Sequence, residues 1–233
     1  MGPGFVTKDA LPRKPIRSFV LRQGRMTDAQ RSALERLWPR YGVTLGDGRL
    51  DLVAMFGRVS PVILDIGFGN GDALVQLATT HPDKNFLGVE VHRPGVGGLL
   101  LKLEAGDLGN VRVVAADVND VLAQLAPGSL DGVHLFFPDP WPKKRHHKRR
   151  LMQSAFAGRL HDALKPGGYL HCATDWEDYA VQMRDVLEAT PGFGNIAGPG
   201  CYIDRPVSRP RTRFEQRGVT AGRVVRDLLF RRG

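Results

Sequence analysis

Between Pro61 and Thr190 short apolar runs alternate with amphipathic stretches, and this alternation restricts the fold more than any other feature of the 233-residue chain. The runs PVILDI (61–66), NFLGVEV (85–91), VRVVAADV (111–118), LDGVHLFF (130–137) and YLHCATD (169–175) read as strands, being short and rich in β-branched and aromatic residues. Helical spacing lies between and after them. It covers DALVQLATT, the stretch from Pro94 through Leu99, Leu100 and Leu103, residues 119–126, residues 148–164 and WEDYAVQMRDVLEAT. Strands apolar on both faces and separated by helices imply an open, mostly parallel α/β sheet covered on both sides. The turn LKPGG (164–168) is expected to close the fourth of these helices, the one over 148–164. A sixth strand near 193–202, a short helix near 210–217 and a seventh strand near 223–231 complete the expectation, although VVRDLLF also suits a helix.

The alternation also divides the chain. Residues 1–26 carry six basic groups against one acid with little apolar content, and are expected to be a flexible arm that orders on nucleic acid. Residues 27–60 are a helix and a connection. Thr27 and Gln30 have capping-box spacing, the apolar face ends before Pro39, and Gly42, Gly46, Gly48 and Gly57 mark irregular chain. Residues 61–233 form the main domain, for which 42% hydrophobic residues supply a sizeable core. No run of about 18 apolar residues and no hydrophobic segment behind the N-terminus is visible, so a membrane role is not expected and a cytoplasmic location is. Cys172 and Cys201 are too few for a disulfide framework or a zinc site, and no metal is expected.

Ligands of such sheets bind beyond the carboxyl ends of the strands, where the strand order reverses. Asp65, Glu90, Asp117 and Asp139 all stand at or just past the ends of the first four strands. The first strand runs into GFGNG (67–71), whose Gly67 and Gly69 have GxGxG rather than GxGxxG spacing, a weak signal by itself. Asp65 decides more. Two residues before the first glycine it would repel a pyrophosphate and attract an ammonium, which favours S-adenosylmethionine over a nicotinamide dinucleotide. Glu90 stands where an acid accepts from ribose hydroxyls, and Asp117 can accept from an adenine amino group.

The stretch LFFPDPWPKKRHHKRR (135–150) joins a strand end to three alternating prolines and then to a basic run. Pro138, Pro140 and Pro142 forbid helix before them and hold Asp139 and Trp141 in a stiff turn. Six formal positive charges follow within residues 143–150, a density suited to a phosphate backbone. Charge elsewhere is arranged around this feature: residues 61–142 hold ten acids against four bases, and residues 205–233 nine bases against two acids. An acidic middle suits a cationic ligand, and basic flanks suit an acidic polymer laid across its entrance.

The motifs LDIGFGNG, GVEVHRPGV, FFPDPWPKKRHHKRR, ATDWEDYA and TRFEQRG, in this order, resemble those of the bacterial tRNA (guanine-N7)-methyltransferase family over about residues 16–231. The resemblance implies a Rossmann-like class I methyltransferase fold, S-adenosylmethionine as donor, tRNA as partner with no obligate protein partner, and methylation of N7 of guanine 46 in the tRNA variable loop. By motif, Asp65, Gly67, Gly69, Glu90, Asp117 and Asp139 would contact the donor, with Asp139 also the catalytic residue. Lys143, Asp175, Thr212, Arg213, Phe214 and Glu215 would meet the substrate, and Arg145, His146, His147, Lys148, Arg149 and Arg150 the RNA. The chain departs from the family pattern at Asp65, where glutamate is commoner, and at Pro142, usually not proline; the first change lengthens a donor contact and the second redirects Lys143.

The residues suit that chemistry independently. Guanine N7 holds a free lone pair at neutral pH, so positioning outweighs base catalysis, and a fixed carboxylate at Asp139 would attract charge developing on the purine. Asp175 or Glu215 could accept from the guanine pairing edge. Trp141 or Phe214 could stack on an unstacked base, though both would equally serve a core. Two other classes remain open: an enzyme methylating an exocyclic amino group through Asp139, and a basic RNA-binding module with a vestigial donor pocket. A pyrimidine carbon-5 enzyme is disfavoured, because neither cysteine stands in a nucleophile setting.

Overall fold

The computed structural model describes residues 18, 19 and 24–233; the basic arm expected over residues 1–26 otherwise lies outside the described residues. In chain order the elements are α1 (Asp28–Tyr41), β1 (Gly42–Val43), α2 (Leu52–Phe56), β2 (Val62–Ile66), α3 (Asp72–Thr80), β3 (Asn85–Val89), α4 (Arg93–Ala105), β4 (Val111–Val114) and α5 (Val118–Gln124). After these come β5 (Leu130–Phe136), a 3-10 helix (Lys144–Arg149), α6 (Ser154–Ala163), β6 (Leu164–Thr174), α7 (Glu177–Glu188), β7 (Phe193–Asn195), α8 (Arg213–Thr220) and β8 (Arg226–Arg232).

Among the described residues the strands form one sheet in the order β1-β4-β3-β2-β5-β6-β8-β7. Strands β1 to β6 run parallel, and β8 lies antiparallel to both β6 and β7. The order reverses at β2, which has β3 on one side and β5 on the other, so the tips of these strands open the crevice that a doubly covered sheet offers a ligand. Apolar side chains fill both faces: Leu64, Leu87, Val133, Leu160 and Met183 on one, Ile63, Leu74, Leu99, Leu100 and Leu103 on the other.

Seven strands follow the expected pattern, and the eighth, β1, falls in chain expected to be irregular, as does α2. The capping box at Thr27 is formed in both directions. Helix α1, however, continues through Pro39 to Tyr41, because that residue is buried and its hydroxyl donates to the Leu103 carbonyl (3.2 Å). Ala33, Leu37 and Tyr41 of α1 share an apolar cluster with Val96, Leu99, Leu100 and Leu103 of α4, and ion pairs from Arg36 to Glu104 and from Arg40 to Asp107, just past α4, flank it, so the segment ahead of residue 61 packs on the domain that follows. The single helix expected over 148–164 is two elements, a 3-10 turn and α6, because Met152 is drawn into the core with its amide donating to the Tyr179 hydroxyl (3.1 Å). The LKPGG turn opens β6, with a register shift between Leu130 and Gly132 absorbing the extra residues. Strand β7 has three residues where about ten were expected, Ile203 adding an isolated bridge to Asp227. Of VVRDLLF the last five residues are strand, β8 starting at Arg226 and pairing along β6 from Tyr169 to Thr174. Among the described residues no helix is long and apolar enough to cross a membrane, and no cluster of three or more His, Cys, Asp or Glu could hold a metal.

Candidate active site

The crevice at the tips of β2, β3 and β5 is a cleft of about 790 Å³. Its floor is the glycine loop, in which Gly67, Gly69 and Gly71 all take positive φ (73°, 58° and 78°), a region closed to ordinary side chains. The loop is fastened from the next strand. Glu90 accepts from the Gly69 amide (2.9 Å) through one oxygen and from the Val91 and His92 amides (2.7 and 2.9 Å) through the other. Asp117 caps α5, its Oδ1 accepting from the amide and side-chain nitrogen of Asn119 (both 2.9 Å). Asp65 is buried beneath the loop, and burial, with the Glu90 charge second, pushes its carboxyl up to about 7. All three acids line the cleft.

Asp139 lines the same cleft from the other side of the switch point and is exposed at its mouth. Two bulky residues with positive φ flank it, Phe137 at 53° and Trp141 at 45°. Such conformations cost of order 1–3 kcal/mol each and persist only where neighbours enforce them. Here the enforcement is visible. The Phe137 amide donates to the Ala173 carbonyl (2.7 Å), Trp141 Nε1 donates to the Ser18 carbonyl (3.0 Å), and Arg149 lies over the indole at 4.7 Å.

The basic run divides on folding. Lys143, Lys144, Arg145 and Lys148 are exposed, with Lys143 and His146 on the cleft wall. His147 stands 3.5 Å from Asp178. Arg150, expected on the RNA, is instead 2% exposed and turned inward. Its guanidinium donates to the Pro140 carbonyl (2.8 Å), Gln182 Oε1 (2.8 Å) and Asp178 Oδ2 (2.8 Å), and it covers the Tyr179 ring at 4.8 Å. A buried, fully committed guanidinium cannot reach a phosphate; it ties the proline loop to α7.

The far rim is the start of α8. Thr212 caps the helix by accepting from the Glu215 amide (3.0 Å), and Thr212, Arg213 and Phe214 line the cleft, with Phe214 58% exposed. Arg213 reaches Asp72 of α3 at 3.3 Å. The remaining two substrate expectations fall elsewhere. Glu215 is buried and bound to Arg209, and Asp175 is paired with Arg223 (2.9 Å) beneath Gly218; neither lines the cleft.

Comparison with known proteins agrees with this geometry. A family model described as a putative methyltransferase matches residues 59–228. A tRNA (guanine-N(7)-)-methyltransferase of Nitrosococcus oceani is 54% identical over 220 residues, covering 94% of this chain and 92% of the relative. The enzyme of that name from Alkalilimnicola ehrlichii is 54% identical over 226 residues, covering 96% and 95%. The chain belongs to this methyltransferase family. Solved structures share its fold: the aminoglycoside resistance methyltransferase NpmB1 (TM-score 0.55, 17% identity, covering 83% of this chain and 98% of that one) and the 16S rRNA methyltransferase KamB (TM-score 0.55, 14%, 90% and 95%). The fold is thus that of class I methyltransferases.

Within this family member one residue that supports the site has no mark in the sequence. Arg209 is fully buried, with Nη1 2.8 Å from Glu215 Oε2 and Nη2 3.0 Å from Asp227 Oδ2. Its Nε lies 2.6 Å from Asp227 Oδ1 as an ion-pair contact rather than an aligned hydrogen bond, and the same oxygen is 2.8 Å from His171 Nε2. The guanidinium also covers the rings of Phe136 and Phe137 at 5.8 and 5.7 Å. One cation therefore joins the root of the α8 rim to the strand end that leads into Asp139. In sequence it is one arginine among nine in a basic tail, and its partners lie on separate elements.

Proposed function

We propose that this protein transfers a methyl group from S-adenosylmethionine to N7 of a guanine in tRNA, with guanine 46 of the variable loop as the target. The observation that carries the reading is the polarity of one cleft. Three carboxylates lie at its inner end, a strained loop holds one exposed carboxylate at its mouth, and exposed cations and an exposed aromatic form its rim. Relatives more than half identical over nearly the whole chain carry the name of this activity, which supports it. Work on tRNA would place the protein in the cytoplasm.

The residues present fit such a donor. Asp65 suits a cationic amino-acid tail, Glu90 has a carboxylate at the position for ribose hydroxyls, and Asp117 faces the cleft for an adenine amine. Gly67 and Gly69 have open space where a Cβ would stand, so the backbone can meet a ligand directly. When bound, the donor supplies an electrophilic methyl group on a cationic sulfur. The protein's own part is orientation, since guanine N7 needs no deprotonation. We assign Asp139 to attracting the positive charge that grows on the purine, and Trp141 and Phe214 to stacking on the extruded base. Lys143, Thr212 and Arg213 are assigned to the nucleotide itself, and Arg145, His146, Lys148 and Arg149 to the RNA backbone.

The test is direct. Purified protein, unmodified tRNA and donor labelled in the methyl group should yield N7-methylguanosine on digestion, at one position of the variable loop. Label on an exocyclic amine, or tRNA that binds without acquiring label, would overturn the reading.

A further inference from the structure

Helix α8 buries almost nothing apolar. Of its eight residues only Glu215 and Gly218 are buried, the first against Arg209 and the second against Asp175, where an added Cβ would stand 2.6 Å from Oδ2. A helix attached by ion pairs, from Glu215 to Arg209 and Arg205 and from Arg213 to Asp72, and by one glycine contact adds little to the core, so its outer face accounts for its sequence. On that face Arg213, Gln216, Arg217 and Thr220 recur at helical spacing and are exposed. Together with Ala221 they line a shallow groove of about 570 Å³. No carboxylate lines it; Arg213 is paired with Asp72 of α3 (3.3 Å), which leaves its other guanidinium nitrogens for a further anion, and among the described residues no carboxylate stands within ion-pair distance of Arg217.

The groove adjoins the cleft at the strand tips, with Arg213 lining both. The two arginines are separated by one helical turn, a rise of about 6 Å, comparable to the step between successive phosphates of a nucleic acid strand. Glutamine and threonine between and beyond them add hydrogen-bonding groups for phosphate or ribose oxygens. An acidic protein segment would feel the same charges; the shared Arg213 ties the groove to the site of an RNA base and favours RNA.

We propose that this face of α8 is a second track for the tRNA backbone, in which Arg217 and Arg213 each neutralise one phosphate and Gln216 and Thr220 bond phosphate or ribose oxygens. The track rests on the tRNA reading above and adds contacts beyond the basic 3-10 helix. The experiment is a titration of fluorescent unmodified tRNA against the full chain at several KCl concentrations, using wild type, Arg217→Glu, Arg217→Lys and the double variant Gln216→Ala/Thr220→Ala. Donor affinity and thermal midpoint monitor folding. Arg217→Glu should weaken tRNA binding about tenfold and lower the salt slope by about one, with Arg217→Lys retaining the slope and the double variant losing affinity without changing it. Donor affinity should stay at the wild-type value, since Arg217 does not line the cleft. Wild-type affinity and slope in Arg217→Glu, while the wild type still methylates tRNA, overturns the track alone. A wild type that transfers no methyl group to tRNA overturns the reading beneath it.

Discussion

The two ends of the cleft are held in different ways. At the end proposed for the donor the side chains grow from the tips of central strands, and the loop between β2 and α3 is closed by the Gly69 amide donating to Glu90. At the end proposed for the substrate the proline loop and α8 lie outside the sheet, and each has a buried arginine among its anchors, Arg150 beneath the first and Arg209 beneath the second. The donor end thus inherits its rigidity from the sheet. The rim depends on a few charge-assisted contacts that compensate one another's burial, and losing one partner leaves a buried charge uncompensated.

The largest expected effect attacks that contrast at its weakest point. Arg209→Ala strands Glu215 and Asp227 in the interior and should cost about 3–5 kcal/mol of stability by urea unfolding. Less than about 1 kcal/mol would show that the rim is held otherwise. Asp139→Ala should come next, lowering single-turnover methylation by about 100- to 1000-fold while tRNA affinity stays near wild type. Equal loss of turnover and tRNA binding would remove Asp139 from the chemical step.

At the donor end the sharpest probe is pH. The Asp65 carboxyl is raised from 3.8 to about 7, so below that pH it is protonated and attracts no cation. Donor affinity, followed by calorimetry, should therefore rise with pH by up to about tenfold per unit below 7 and level off above it. Asp65→Asn should be flat across the range; an equal slope in that variant would assign the titration to another group. The same shift makes the unliganded fold lose stability as pH rises from 3.8 through 7, because the native state keeps a proton that the unfolded chain releases. The smallest effect separates residues within the basic run. Arg145→Ala/Lys148→Ala should reduce the salt slope of tRNA binding by about 1.4–1.8 without loss of stability, whereas Arg150→Ala should destabilise the protein and leave the slope alone. A changed slope in Arg150→Ala would contradict its inward placement.

Most of the sheet could be read from the residues because parallel strands and their helices differ in period, and each strand run is short, apolar and bounded by turn residues. The acids at the strand tips were readable for the same reason: once the strands are located, position along them locates the crevice. The failures share a cause as well. Tyr41 carries α1 past Pro39, and Met152 splits the helix expected over 148–164, because each is pulled inward by a partner far along the chain. Local spacing holds no record of such partners.

The sequence by itself determined the alternating architecture, the acidic cleft at the switch point and the proline-locked acid, since these follow from periodicity, from the fixed φ of proline and from charge counted along the chain. Only the tertiary structure decided which charges face solvent. Arg150 and Arg209 look like their basic neighbours, and Glu215 and Asp175 look like substrate acids, until long-range packing sets each against an opposite charge. Burial and pairing depend on residues that meet only in the folded chain, and so cannot be read from any one stretch of it.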